Sequence, residues 1–302
     1  LDYLKVKQVI DKAKFLNVRT INFTGGEPTL YSQFYRLIEY SKRQGFLVSV
    51  STNGIIKKSD LKYLSKSSDF IDISINSYKQ EIDDKIREKS GVFKNSIDSI
   101  KCLNRLNKNL KLHINVTVRP DNFKNIHKMI PLLSEYIDSI SFTLVDVSIN
   151  NLKYLEFKKG QLQFFYFKEV PLILKECLVC NITLRITPFF KDLQNLSNRE
   201  RIKRLLGNNL YYVSRFKSVF EMNASKECSK VIKGLRINAN GDISPCCYLD
   251  DYPVDLGNIY KKDLLSIVSS DKYFDFIDST KLNKNWCKKC MLGYKIYTKF
   301  FK

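Results

Sequence analysis

Lys111-Leu112-His113-Ile114-Asn115-Val116-Thr117-Val118 alternates apolar and polar side chains with a period of two. Successive side chains of a strand point to opposite faces, so this octapeptide makes one greasy face and one polar face. The alternation recurs over residues 18–24, 47–52, 70–76 and 139–145. Between these runs the period changes to that of a helix. Leu4, Val9, Ile10, Ala13 and Leu16 fall near one side of a helix over residues 2–16, and residues 93–106 form another. Strands alternating with helices predict an α/β fold with a parallel sheet.

The two faces restrict the architecture further. Ile21, Phe23, Val48, Val50, Ile71, Ile73, Ile75, Ile140, Phe142 and Leu144 join the apolar set of residues 111–118 and would pack under the helices. The other face collects Asn22, Thr24, Ser51, Asn53, Asp72, Ser74, Asn76, His113, Asn115, Thr117, Ser139, Ser141 and Thr143. A filled β/α barrel carries branched apolar residues inside, and a doubly wound sheet wants both faces apolar. An antiparallel sheet with one wet face fits the alternation but not the intervening helices. The pattern instead predicts an incomplete barrel whose polar lumen has a polar ligand to satisfy it.

Cysteine is concentrated near the C-terminus, at Cys228, Cys246, Cys247, Cys287 and Cys290. Cys287 and Cys290 form a C-x-x-C, and Cys246 follows a turn-forming Asn240-Gly241, so two segments bring thiols together. Cys228, Cys246, Cys287 and Cys290 are the candidate metal ligands, with Cys247 able to replace Cys246; four thiolates suit zinc or an iron-sulfur cluster. The alternative is a set of buried reduced thiols. Cys177 and Cys180 sit in an apolar helical stretch and Cys102 on a helix, where each reads as a core thiol.

Eight cysteines in 302 residues do not make a disulfide scaffold, which points to a reducing, cytoplasmic compartment. Residues 164–174, the most apolar run, contain Lys168, Glu169 and Pro171 and cannot span a bilayer, so a soluble chain is expected. The formal charge of +20 invites a polyanion partner, but 39 of 51 basic residues are Lys and only 12 are Arg, scattered along the chain. Arg is the residue of phosphate forks and base edges, so nucleic acid is disfavoured as the main partner while an acidic peptide or nucleotide-like substrate stays compatible. His127 falls on a predicted helix and reads as structural. His113 could face the lumen and receives no role.

The polar strands end in loops suited to ligands. The first ends Thr24-Gly25-Gly26-Glu27-Pro28, where paired glycines let a ligand approach the backbone and a helix is expected from about Pro28. The next two end Ser51-Thr52-Asn53-Gly54 and Ser74-Ile75-Asn76-Ser77. With Asp84-Lys85-Ile86-Arg87 and Gly91-Val92-Phe93 after them, these motifs resemble the radical S-adenosylmethionine (radical SAM) superfamily. Gly241 four residues before Pro245-Cys246, and Leu256-Gly257-Asn258-Ile259 before a short helix, resemble the SPASM or twitch auxiliary-cluster domain of the same enzymes. The resemblance covers residues 1 to about 145 and 225 to 290.

The resemblance implies a partial (β/α)6 TIM-like barrel, its first strand missing, followed by a small α+β cluster domain. It implies S-adenosylmethionine, a catalytic 4Fe-4S cluster and one auxiliary 4Fe-4S cluster held by the four C-terminal thiols. Gly25, Gly26 and Glu27 match the segment holding the methionine amino group, and Ser51, Asn53 and Ser74 the strand ends near the ribose or carboxylate. The C-x3-C-x-x-C loop that ligates the catalytic cluster is absent from these residues; the family pattern places it upstream of Leu1, and a cropped sequence is expected. The chain as it stands should not perform the radical step, and no catalytic side chain is assigned.

For the intact protein the implied chemistry is reductive cleavage of S-adenosylmethionine to a 5′-deoxyadenosyl radical that abstracts hydrogen. Peptide or protein modification is expected. The alternatives are a dehydrogenase or other enzyme of a small sugar- or antibiotic-like metabolite, and a non-catalytic iron-sulfur scaffold. An electron donor such as flavodoxin or ferredoxin is implied. Composition divides the chain into a barrel over residues 1–190, a linker over 191–209 and a cluster domain over 210–302, with a hairpin around Asn240-Gly241 and a helix over 262–278.

Overall fold

The structure, a computed structural model, describes residues 1–145, 147, 150–185, 234–244 and 255–281. The chain divides into two compact units, one of Leu1–Ser49 with Ala224–Ile296 and one of Val50–Asn223 with Tyr297–Lys302. A six-stranded sheet runs in sequence order through β1 (Thr20–Phe23), β2 (Leu47–Thr52), β3 (Phe70–Ser74), β4 (Lys111–Val118), β5 (Ser139–Leu144) and β6 (Thr183–Arg185). Neighbours from β3 to β6 pair in parallel. Sequential strand order, with parallel pairing from β3 to β6 and helices in the connections, is the α/β architecture the alternation predicts.

In the first unit, α1 (Tyr3–Phe15) is capped by the Asp2 carboxylate, which accepts from Lys5 N at 2.8 Å. The helix stops at Asn17, whose left-handed φ of 53° lets Val18 N return to Ala13 O at 3.2 Å. That cap takes up two residues of the strand expected from residue 18, and β1 begins at Thr20. Ile10 and Ala13 of α1 pack with Leu37 of α2 (Phe34–Arg43) and with Phe46. Pro28 starts only a 3-10 turn, Pro28–Leu30, and α2 begins at Phe34. The Glu27 carboxylate takes Thr29 N and Tyr31 N closes on Pro28 O, so the chain turns tightly before it can propagate a helix.

The same unit contains the hairpin of β7 (Arg236–Ile237) and β8 (Ile243–Ser244), the α9 helix (Leu264–Val268) and the α10 helix (Asp271–Lys281). Ile243, Leu256, Ile259, Leu264, Ile267 and Phe276 form its core, with Val9 of α1 packed against it. The single helix expected over 262–278 is two. Ser269 Oγ donates to Leu265 O and Ser270 Oγ to Ile267 O, hydroxyls competing with backbone amides where the helix breaks.

In the second unit, α3 (Lys58–Ser67), α4 (Gln80–Ile86), α5 (Val92–Leu106), α6 (Met129–Leu133), α7 (Lys159–Phe164) and α8 (Val170–Val179) follow the strands. Val50, Ile71, Ile73, Ile75, Ile114, Val118, Ile140 and Phe142 are 0% exposed, as the apolar face requires. Burying each such side chain is worth about 1.5–3 kcal/mol. Between α7 and α8 the helical backbone widens into a π turn at Phe165–Glu169. Pro171 has no N–H to return to the preceding turn, and the widened backbone directs Glu169 inward to accept from Asn125 N and to meet His127 Nδ1, each at 2.8 Å. His127 is therefore structural.

Candidate cofactor site at the strand ends

In the first unit, β1 leads directly into Gly25 and Gly26. Gly25 has a φ of +139°, and a Cβ at either glycine would stand in open space. The peptide planes of this turn are thus accessible on their outer side. Glu27 is held by Thr29, whose Oγ1 donates to Oε1 at 2.7 Å, so its carboxylate is fixed beside the turn.

In the second unit, Arg87 ties the strand ends together. Its Nη1 donates to Ser74 O and to Ser96 Oγ, both at 3.1 Å, and its Nη2 donates to Asn53 O. Ser96 Oγ also donates to Asn53 O at 3.2 Å, and Ser99 Oγ to Gly54 O at 3.1 Å. Asp83 lies beneath the guanidinium, 3.4 Å from Nη1, and accepts Asn76 N at 2.6 Å. Burial raises its pKa, while the Asn76 amide and Arg87 oppose the rise. Asn53 and Ser74, predicted from sequence as cofactor contacts, are joined through Arg87. Ser51 is half-buried near the end of β2.

Asp84, next in sequence, points the other way. It accepts Phe93 N at 2.9 Å and Gly91 N at 2.7 Å, capping α5 from outside. Those backbone donors, Phe93 first, hold its pKa below the ordinary value. The Asp84–Arg87 and Gly91–Phe93 motifs singled out in the sequence are therefore the fastening of two strand ends to α5. Arg87 itself was not among the predicted site residues. Its signal was present in that motif, but its contacts join residues 34 and 13 positions away.

Register arranges the polar face in rows. Ser74 sits opposite Asn115, and Asn115 opposite Ser141; Asp72, His113 and Ser139 form the row behind. His113 is 2% exposed. Ser141 Oγ donates to Asn115 Oδ1 at 2.6 Å, and His113 Nε2 lies 3.2 Å from that oxygen and 3.0 Å from Ser141 Oγ. An amide oxygen only accepts, so Nε2 carries a proton, and in the neutral ring Nδ1 then accepts the Ser139 hydroxyl at 2.8 Å. This fixes Asn115 Oδ1 inward. Asn115 Nδ2 and Ser74 Oγ have no protein partner among the described residues. His113, given no role from sequence, orients one of these two donor groups.

The predicted metal ligands Cys228, Cys246, Cys287 and Cys290, and the alternate Cys247, lie outside the described residues. Among the described residues no cluster of three or more His, Cys, Asp or Glu could hold a metal. Cys177 is buried, and burial first, then Cys180 and Glu176, pushes its thiol up to about 12. Such a thiol is a core residue rather than a ligand. Cys102 and Cys180 are half-buried and free.

Residues 1–133 match the radical SAM superfamily and residues 228–291 match SPASM, an iron-sulfur cluster-binding domain. The cysteine-type anaerobic sulfatase-maturating enzyme of Clostridium novyi is 28% identical over 298 residues, covering 90% of this chain and 70% of that protein. The mycofactocin maturase MftC of Mycolicibacterium smegmatis is 27% identical over 139 residues, covering 45% of this chain and 35% of that one. Among solved structures, Streptococcus suis SuiB superposes with a TM-score of 0.67 at 20% identity, over 91% of this chain and 61% of SuiB. SuiB has also been solved with S-adenosylmethionine and with the precursor peptide SuiA. The chain thus spans less than two thirds of MftC and of SuiB. With a polar-faced sheet and matches over both segments, the chain carries a radical SAM domain over residues 1–133 and a C-terminal SPASM domain over residues 228–291.

Proposed function

We propose that the protein to which this chain belongs is a radical SAM enzyme that modifies a peptide or protein side chain. The observation that carries this reading is the polar row at the sheet's ligand-facing end, where Ser74 and Asn115 are register partners whose Oγ and Nδ2 have no protein partner among the described residues, on strand ends locked by Arg87. Those groups suit the ribose and carboxylate of S-adenosylmethionine, and the open backbone of Gly25 and Gly26 suits its amino group. Ser51, Asn53 and Glu27 complete the proposed contacts. When bound, the cofactor supplies a 5′-deoxyadenosyl radical by reductive cleavage; the chain's own residues orient it and exclude water.

The four-thiol set of Cys228, Cys246, Cys287 and Cys290 suits an auxiliary 4Fe-4S cluster by donor chemistry. Residues 1–302 contain no C-x3-C-x-x-C motif to ligate a catalytic cluster. The maturase relatives, and a fold neighbour solved with a precursor peptide, support a peptide substrate over a small metabolite. In this reading residues 1–190 form the barrel, 191–209 the linker and 210–302 the cluster domain. The enzyme works in the cytoplasm with flavodoxin or ferredoxin as donor; among the described residues no helix is long and apolar enough to cross a membrane.

The test is anaerobic reconstitution of the protein from its complete reading frame, followed by measurement of 5′-deoxyadenosine after adding S-adenosylmethionine and dithionite. Deoxyadenosine, with cofactor affinity falling about fivefold in Ser74→Ala as one hydrogen bond is lost, supports the reading. Its absence leaves an iron-sulfur scaffold.

A further inference from the structure

Tyr78 and Lys79 follow the C-terminal end of β3, and Pro120 to Asn125 follow that of β4. The two strands are parallel neighbours, so both loops emerge at the edge where β/α folds bind ligands. Between them is a cleft of about 370 Å³, also lined by Ile82 and Gln161. Pockets for small ligands and single side chains run from roughly 300 to 1,000 Å³. None of the residues expected to contact the cofactor lines it.

The walls are fixed. Asn122 is 5% exposed; its Nδ2 donates to Asn76 O at 2.7 Å and Thr117 O at 2.8 Å, and its Oδ1 accepts Arg119 N. The loop after β4 is thereby bonded to the loop after β3. Phe123 packs edge-on to Phe157 and Phe164, each at 5.8 Å.

The charge of the cleft is one-sided. Lys124 Nζ lies 5.9 Å from the Phe123 ring and 5.8 Å from that of Phe164. Lys79 and Lys128 lie over the Tyr78 ring at 5.8 and 5.6 Å. Among the described residues no carboxylate pairs with any of these three ammonium groups. Asp121, the acid of the lining, is engaged by Arg119 through Nε at 3.0 Å and Nη2 at 2.9 Å. Cations held over aromatic rings beside the apolar surfaces of Ile82 and Pro120 present a preformed site for a carboxylate next to an apolar group.

We propose that this cleft docks an acidic segment of the peptide substrate, a Glu or Asp side chain meeting Lys79 and Lys124 while a neighbouring apolar side chain lies on Phe123 and Pro120. The inference rests on the peptide-substrate reading and adds where, and by what chemistry, the peptide is held.

The experiment is a fluorescence-anisotropy titration of the whole reconstituted protein with a fluorescein-labelled hexapeptide of alternating glutamate and leucine. Reversal of two charges facing the peptide, K79E with K124E, should weaken binding by about tenfold or more, and the affinity should fall with added salt. K57E with K62E makes the same change in net charge at the N-cap and on the exposed side of α3 and should stay within about twofold of the parent. Far-UV circular dichroism checks that both pairs fold. Equal losses in the two pairs would trace binding to net charge and overturn the proposal, as would no loss in K79E with K124E. A lysine–leucine hexapeptide or an oligothymidylate depending equally on Lys79 and Lys124 would also overturn it. If the parent binds the acidic peptide independently of these lysines, only the cleft fails; if it binds none of the peptides, the peptide-substrate reading fails too.

Discussion

At the scale of single residues, Gly54 and Gly25 separate two uses of glycine that look alike in sequence. Gly25 faces open space, so its lack of a side chain leaves backbone accessible. Gly54, at a φ of +80°, would place a Cβ 2.7 Å from Ser96 Oγ and 2.8 Å from Ile73 Cγ2. It permits α5 to seat against the end of β2. Gly54→Ala therefore combines left-handed strain with a clash against buried neighbours and should cost about 2–4 kcal/mol of stability, read from urea unfolding. A change within error would show that the strand end relaxes freely. The Ser-Thr-Asn-Gly stretch was legible as a polar strand end, but the packing role of its glycine was not, because Ser96 is 42 residues distant in sequence and only the fold brings it there.

Asp84 shows what an element's end depends on. Gly91, which begins α5, has no side chain to cap the helix, and Asp84 supplies the acceptor from seven residues upstream. Its folded pKa is lowered, chiefly by the Phe93 amide. The contribution to stability is thus present above the unfolded Asp value, about 3.9, and is lost as pH falls through the folded value. Asp84→Asn should lower the melting temperature at neutral pH, with the difference from the parent shrinking below about pH 4. A difference independent of pH would assign the effect to geometry rather than charge. In the hairpin, Gly241 has a φ of +90°, and a Cβ there would meet the Tyr260 ring at 2.6 Å. Gly241→Ala should destabilise its unit by about 1–3 kcal/mol, seen as faster hydrogen exchange in β7 and β8; unchanged exchange would mean that Tyr260 swings aside at no cost. The turn itself was legible from Asn240-Gly241. The breaks at residues 165–169 and 269–270 were not, because the pattern of apolar residues continues across both while Glu169 and the two serines redirect backbone bonds locally.

At the scale of the molecule, the first unit joins the two ends of the sequence. Leu1 N donates to Ala239 O at 2.8 Å, Asp2 N to Tyr260 Oη at 3.0 Å, and Val9 packs on the core formed by the hairpin and α9. Helix α1 is consequently buried on two sides, against α2 and against the C-terminal segment. Ending the chain at residue 223 removes the second partner, and the amides of Tyr3–Phe15 should then exchange about tenfold faster or more while the melting temperature falls. Unaltered protection would show that α2 alone holds α1. Composition divided the chain by sequence position, whereas packing associates α1 with residues more than 200 positions away.

The sequence by itself determined the parallel α/β pattern, the two unlike faces of the sheet and the order of polar strand ends. These follow from local periodicity and turn chemistry, which each segment carries independently of the others. Register and wiring were decided only in the tertiary structure. Ser74 stands beside Asn115, His113 turns the Asn115 amide outward, and Arg87 joins Asn53 to Ser74, because strand pairing and buried hydrogen bonding select partners from distant segments. A strand's alternation says which residues share a face; only pairing with its neighbours says which of them meet.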